Sequence, residues 1–116
     1  MMVNARRGEI SATLDGKAWR LCLTLGALAE LEQAFGVGDL VALGDRFATG
    51  KLSASDMIAI IAAGLGGAGH MVSTHDVAAM HTDGGLSGFA NIVAQLLVAT
   101  FDQGAKSVVP GITQNP

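Results

Sequence analysis

Residues 9–23, EISATLDGKAWRLCL, alternate apolar and polar side chains in two runs separated by Asp15-Gly16. Asp-Gly is a preferred pair for a two-residue hairpin turn, because both central positions need positive φ. Setting Leu14 opposite Lys17 puts Ala12 opposite Trp19 and Ile10 opposite Leu21. Ile10, Ala12, Leu14, Trp19 and Leu21 then share one face, while Glu9, Ser11, Thr13, Ala18, Arg20 and Cys22 share the other. A slip of one residue would destroy that sorting, so turn chemistry and hydrophobic pattern fix the same register. The pattern predicts a β-hairpin over 9–23. A lone hairpin is marginal in water, so its apolar face has to cover helices or pair with another chain.

After residue 23 the apolar period lengthens to that of a helix. Thr24 is placed to cap a segment in which Leu25, Leu28, Leu31 and Phe35 recur at helical spacing, and Gly36 suits a left-handed stop, giving a helix over about 25–35. Asp39 can cap a second, about 39–49, with Leu40, Leu43 and Phe47 on one side. Ser53-Ala54-Ser55-Asp56 has the spacing of a capping box and opens a third over about 54–65, apolar nearly all round and so expected to be the most buried. Ser73-Thr74-His75-Asp76 repeats the signal for a helix over about 74–81. Phe89, Ile92, Val93, Leu96, Leu97 and Thr100 mark a last helix over about 86–102. Residues 1–8 and 103–116 show no sustained pattern and are expected to form a flexible start and a mobile tail. The prediction is an α+β fold, mostly α: an N-terminal hairpin followed by about five helices in one compact domain over 9–102.

Composition narrows the function classes. The chain has 116 residues, half of them apolar but only 4% aromatic, which favours small side chains and closely approaching helices. Its formal charge is −3, with 7 Lys and Arg spread along the chain, so it lacks the concentrated basic face that nucleic acid requires. One cysteine, Cys22, excludes an internal disulfide and a cysteine-based zinc cluster. The start MMVNARRGEI lacks the apolar run of a secretory signal, and the uncharged stretch between Asp56 and Asp76 is too broken by glycine to span a membrane. These features predict a soluble, cytoplasmic protein.

Three patterns raise the question of chemistry. Residues 64–69, GLGGAG, fit the G-x-G-x-x-G spelling of a dinucleotide loop, with Asp83 near the expected distance downstream. That loop works where a strand enters the glycines and a helix starts inside them, whereas here a capped helix precedes them and the next helix start follows them. His70, His75 and His81 are spaced by five and six, which does not align imidazoles on one helical face. Residues 85–89, GLSGF, lack the closing glycine of a nucleophile elbow, Cys22 has only Arg20 as a charged neighbour on its strand face, and Glu30 and Glu32, two apart, point in different directions. No catalytic, cofactor-binding or metal-binding residues are predicted. What remains is apolar surface. Five methionines and a nearly charge-free central third suit an adaptable protein-binding groove.

The ordered succession GEISATLDGKAWRLCLTLGALAELEQAFG, GDLVALGDRFATGKLSASDMIAIIAAGL and GGAGHMVSTHDVAAM resembles a family of small tail proteins of gene transfer agents and related siphophages, over roughly residues 8–102. That family is described both as a tail tube protein and as a tail assembly chaperone. The resemblance implies a morphogenesis factor of a prophage-like cluster, acting in the host cytoplasm during particle assembly. In the chaperone case its partners are the helical tape-measure protein and the tail-tube subunits that later displace it. In the tube case the chain itself polymerises, and homo-oligomerisation stays open. A metal- or nucleotide-binding enzyme ranks last. The predominance of helix favours the chaperone, acting by helix-in-groove binding with Met57, Ile61, Leu65, Met80 and Leu97 as contact residues.

Overall fold

The computed structural model describes residues 8–102. The flexible start expected over 1–8 lies outside them except for Gly8, and the mobile tail expected over 103–116 lies outside them entirely. Within the described residues a hairpin, β1 (Glu9–Leu14) and β2 (Lys17–Cys22), is followed by α1 (Leu25–Phe35), α2 (Leu40–Ala48), α3 (Ala54–Gly67), α4 (Thr74–Ala78) and α5 (Leu86–Leu97). A π-helical turn, Val98–Asp102, continues α5. This is the mostly helical α+β arrangement that the alternation and the caps imply.

The hairpin pairs Leu14 with Lys17, Ala12 with Trp19 and Ile10 with Leu21, the register required to gather its apolar side chains. Asp15 and Gly16 have φ of 53° and 76°, as a type I′ turn demands. Ala12, Leu14 and Leu21 are buried, whereas Ile10 and Trp19 at the margins are half-buried. Trp19 resolves its polar atom locally, its indole N–H donating to the Leu14 carbonyl at 3.1 Å.

Local chemistry starts and stops most helices. The Thr24 hydroxyl accepts from the Ala27 N–H at 3.1 Å, and the Asp39 carboxylate from the Ala42 N–H at 2.8 Å. Ser53 and Asp56 form a reciprocal capping box at the start of α3, and Ser73 and Asp76 repeat it for α4. Gly36, at φ 69°, ends α1 in the left-handed conformation.

Two helices differ from the periodicity. The fourth stops at Ala78, three residues earlier than its apolar pattern suggests, because the following residues are bound to the hairpin turn instead. The Asp15 N–H donates to the His81 carbonyl at 2.8 Å, the His81 N–H donates to Asp15 Oδ1 at 2.9 Å, and the Thr82 hydroxyl donates to the Thr13 carbonyl at 2.7 Å. The fifth widens into the π turn after Leu97. There the Thr100 hydroxyl donates to the Leu96 carbonyl at 2.7 Å and competes for the acceptor that an α-helical N–H would use.

The third helix is the hub, packing against β2, α1, α4 and α5. Its Ile60, Ile61 and Leu65 join Leu14, Leu21, Leu31, Leu43 and Leu96 in one core, each at most 1% exposed. The glycines at its end permit the approach to β2. A Cβ on Gly67 would run into the Cys22 carbonyl oxygen, and one on Gly64 would meet Leu96 Cδ2 at 2.7 Å and Leu21 Cβ at 3.2 Å. Gly66, one position away and turned outward, would meet nothing within 4 Å.

The neighbouring glycines therefore respond oppositely to the same substitution. Gly66→Ala is expected to stabilise the chain by about 0.5–1 kcal/mol through helix propensity. Gly67→Ala is expected to destabilise it by about 2–3 kcal/mol, since the obstruction is backbone that cannot rotate away. Urea unfolding followed by Trp19 fluorescence checks both.

Candidate functional site

The fold places GLGGAG at the C-terminal end of α3. The Ala68 N–H donates to the Gly64 and Leu65 carbonyls, the Gly69 N–H to Gly66 and the His70 N–H to Leu65. These amides are spent within the helix end, where the macrodipole also disfavours an anion, so the stretch has neither the free donors nor the field that a phosphate needs. Gly64 and Gly67 serve close packing on the hairpin.

The histidines are dispersed. His70 stands edge-on to Trp19 with ring centroids 5.0 Å apart, His75 lies on α4, and His81 is held by its backbone against Asp15. Among the described residues no group of three or more His, Cys, Asp or Glu side chains is arranged to hold a metal ion. Cys22 is a half-buried free thiol. No described helix is long and apolar enough to cross a membrane.

Apolar relief on the surface offers a different kind of site. Between α3, α4 and the start of α5 lies a hollow of about 180 Å³, walled by Met57, Ile58, Ile61, Val77, Met80 and Phe89. No charged side chain lines it. Ile61 and Val77 form its floor at 1% and 3% exposure, and the two methionines are half-buried at its sides. At its lip stands Leu86, 70% exposed. The turn before α5, with Gly84 and Gly85 at φ 86° and 58°, leads into the helix at Leu86, which also lines the hollow.

Of the five residues proposed from the sequence, Met57, Ile61 and Met80 thus meet in one place. Leu65 does not join them; at 0% exposure it belongs to the core and presents no surface. Leu97 lines a separate hollow of about 240 Å³ with Phe47, Val98 and Phe101, against α2. Sequence reasoning missed Ile58, Val77, Leu86 and Phe89. A helix that is apolar all round gives no sign of which side is open, and the contribution of Leu86 and Phe89 depends on how α5 turns back over α3.

Two charged elements brace the site. Arg46 donates to Asp56 at 3.0 Å and to the Lys51 carbonyl at 2.9 Å, tying α2 to the start of α3. The Ser53 backbone N–H, with further help from the Arg46 guanidinium, holds the Asp56 carboxyl below the usual carboxylate range against the opposing effect of desolvation. The Ser73 backbone N–H does the same for Asp76 at the start of α4.

The family model described as "Phage tail tube protein, GTA-gp10" matches residues 7–103. No curated protein and no solved structure matches the chain. Coverage of nearly the whole sequence, on a fold with the expected hairpin and helices, establishes the class: a tail protein of phages or gene transfer agents. The chain belongs to the GTA-gp10 family.

The capping boxes carry a pH dependence. Both carboxyls have lowered folded-state pKa values, so their contribution is present above the unfolded value of about 4 and is lost as pH falls through the folded value. Melting temperature is expected to stay level from about pH 7 to 5 and to fall below about pH 4. Asp56→Asn should start from a lower melting temperature and show a smaller acid-induced drop. An equal drop in the two proteins would mean that Asp56 does not contribute.

Proposed function

We propose that the chain is a tail assembly chaperone that holds an apolar helical segment of the tape-measure protein in the hollow between α3, α4 and α5, and yields it when tail-tube subunits arrive. The observation that supports this most directly is the uncharged hollow walled by Met57 and Met80, with Leu86 exposed at its lip. Unbranched methionines can repack around different apolar side chains, as a chaperone for a long and variable helix requires. A single shallow hollow also suits release, because the area it can bury is small and affinity per contact stays modest. In this reading the chain acts by binding rather than by catalysis, in the host cytoplasm during particle assembly.

The family description supports a second reading, in which the chain is itself a tube subunit. Tube subunits rely mainly on β-sheet that closes into rings, and the described residues contain a single two-stranded sheet. That proportion of strand to helix favours the chaperone.

Co-expression with the tape-measure protein distinguishes the two. The chaperone reading expects the tape-measure protein to become soluble in the presence of this chain, with binding weakened about tenfold or more by Met57→Lys combined with Met80→Lys. Unchanged tape-measure solubility, or rings and tubes of the purified chain under the electron microscope, would overturn it in favour of the tube.

A further inference from the structure

The sequence contains two Asp-Gly pairs, Asp15-Gly16 and Asp83-Gly84. Asp-Gly is the dipeptide most open to succinimide formation, because glycine has no Cβ to obstruct its own nitrogen. Both pairs lie in exposed turns with the glycine at positive φ, 76° at Gly16 and 86° at Gly84. In neither does the glycine N–H donate to a partner among the described residues. Exposure and a free nitrogen therefore do not separate the two pairs; the carboxylates do.

Asp15 is tethered. Its Oδ1 accepts from the His81 N–H at 2.9 Å, and its own N–H donates to the His81 carbonyl at 2.8 Å, so side chain and backbone are both held against the segment after α4. Before its Cγ can turn toward the Gly16 nitrogen, the carboxylate bond to His81 has to break. Asp83 has no such restraint, since its carboxylate makes no hydrogen bond or ion pair among the described residues. The turn around it is closed by backbone alone. The Gly85 N–H donates to the Thr82 carbonyl at 3.1 Å, and the Gly88 N–H to the Gly84 carbonyl at 3.4 Å.

From the untethered carboxylate and the free glycine N–H we infer that Asp83-Gly84 is a site of spontaneous isoaspartate formation, and that the contact with His81 protects Asp15. The Gly84 nitrogen attacks Cγ of the Asp83 carboxyl in its protonated form, and the amide proton and carboxyl hydroxyl leave as one water, closing a succinimide ring. Water then adds to the backbone carbonyl carbon of Asp83. The bond from that carbon to the Gly84 nitrogen breaks, the nitrogen regains a proton, and the chain continues through Cγ. Composition and oxidation state are unchanged, and no co-reactant other than water is consumed. The main chain gains a methylene where the Asp83 carbonyl lies against Gly88, so closely that a Cβ on Gly88 would strike its oxygen. The lengthened turn cannot keep both closing hydrogen bonds, which loosens the first turn of α5 with Leu86 and Phe89. This does not depend on what occupies the hollow that those two residues line.

Incubation of the full chain near neutral pH at physiological temperature, once folded and once in concentrated urea, tests the inference, with isoaspartate mapped at each pair by electron-transfer fragmentation of proteolytic peptides. In the folded chain Asp83 should accumulate at least about threefold more isoaspartate than Asp15, as expected when one charge-assisted hydrogen bond holds Asp15. In urea the two sites should converge, because glycine follows both and the His81 contact is gone. Asp83→Glu keeps the charge but disfavours the ring, and should remove most of the isoaspartate from the folded chain. In the isoaspartate-bearing fraction, amide hydrogen exchange over residues 86–89 should be faster than in the fresh protein. The proposal is overturned by isoaspartate at Asp15 equal to or above that at Asp83 in the folded chain, by none at either site, or by an excess at Asp83 that persists undiminished in urea. Unaltered exchange over 86–89 in the isoaspartate-bearing chain would overturn the loosening of α5.

Discussion

The contact on which the rest of the molecule depends is the one between the end of α3 and the second strand. The backbone at Gly67 lies directly against the Cys22 carbonyl, and Leu21 and Leu96 close over Gly64. Any larger residue at Gly67 would lift the helix away from the sheet. With this seat in place, Ile60 and Leu65 are fully buried, and the hairpin gains the apolar cover that a two-stranded sheet needs in water. A glycine-rich sequence that could be mistaken for a phosphate loop is here a packing device, and its position at a helix C-terminus is the electrostatic opposite of what a nucleotide would need.

Seating one side of α3 against the sheet leaves its other sides exposed to partial cover. The fourth helix packs on this surface and forms one wall of the methionine-walled hollow. Five residues are too few to form a stable helix by propensity alone. Its capping box supplies the start, buried Val77 anchors it to the core, and the segment after it is fastened to the Asp15-Gly16 turn by paired backbone and carboxylate hydrogen bonds. The hairpin turn thus has a second role, since it fixes where the α4 wall of the methionine-walled hollow stands.

How much of this was legible follows from which interactions are local. The hairpin register could be derived because Asp15-Gly16 and the alternation on both sides of it demand the same pairing. Helix starts were legible at Thr24, Asp39, Ser53 and Ser73, where a side chain three residues from its acceptor or donor defines the boundary. The early end of α4 was not, because His81 and Thr82 are claimed by hairpin residues more than sixty positions away. For the candidate site, Met57, Ile61 and Met80 line one hollow, while Leu65, on the same helix, faces inward. No periodicity could separate them in a helix with apolar residues on all sides. Leu97 was assigned by the same logic and lies against α2, a pairing that only the three-dimensional course of α5 determines.

The central claim is that the hairpin is committed to holding α3, and that partners are met by the helical surface this leaves open. Amide hydrogen exchange of the full chain, alone and with the tape-measure protein, tests it most directly. The account expects new protection at residues 54–61 and 77–89, with exchange in β1 and β2 unchanged. Protection confined to the two strands, as when sheets of neighbouring subunits pair, would contradict it.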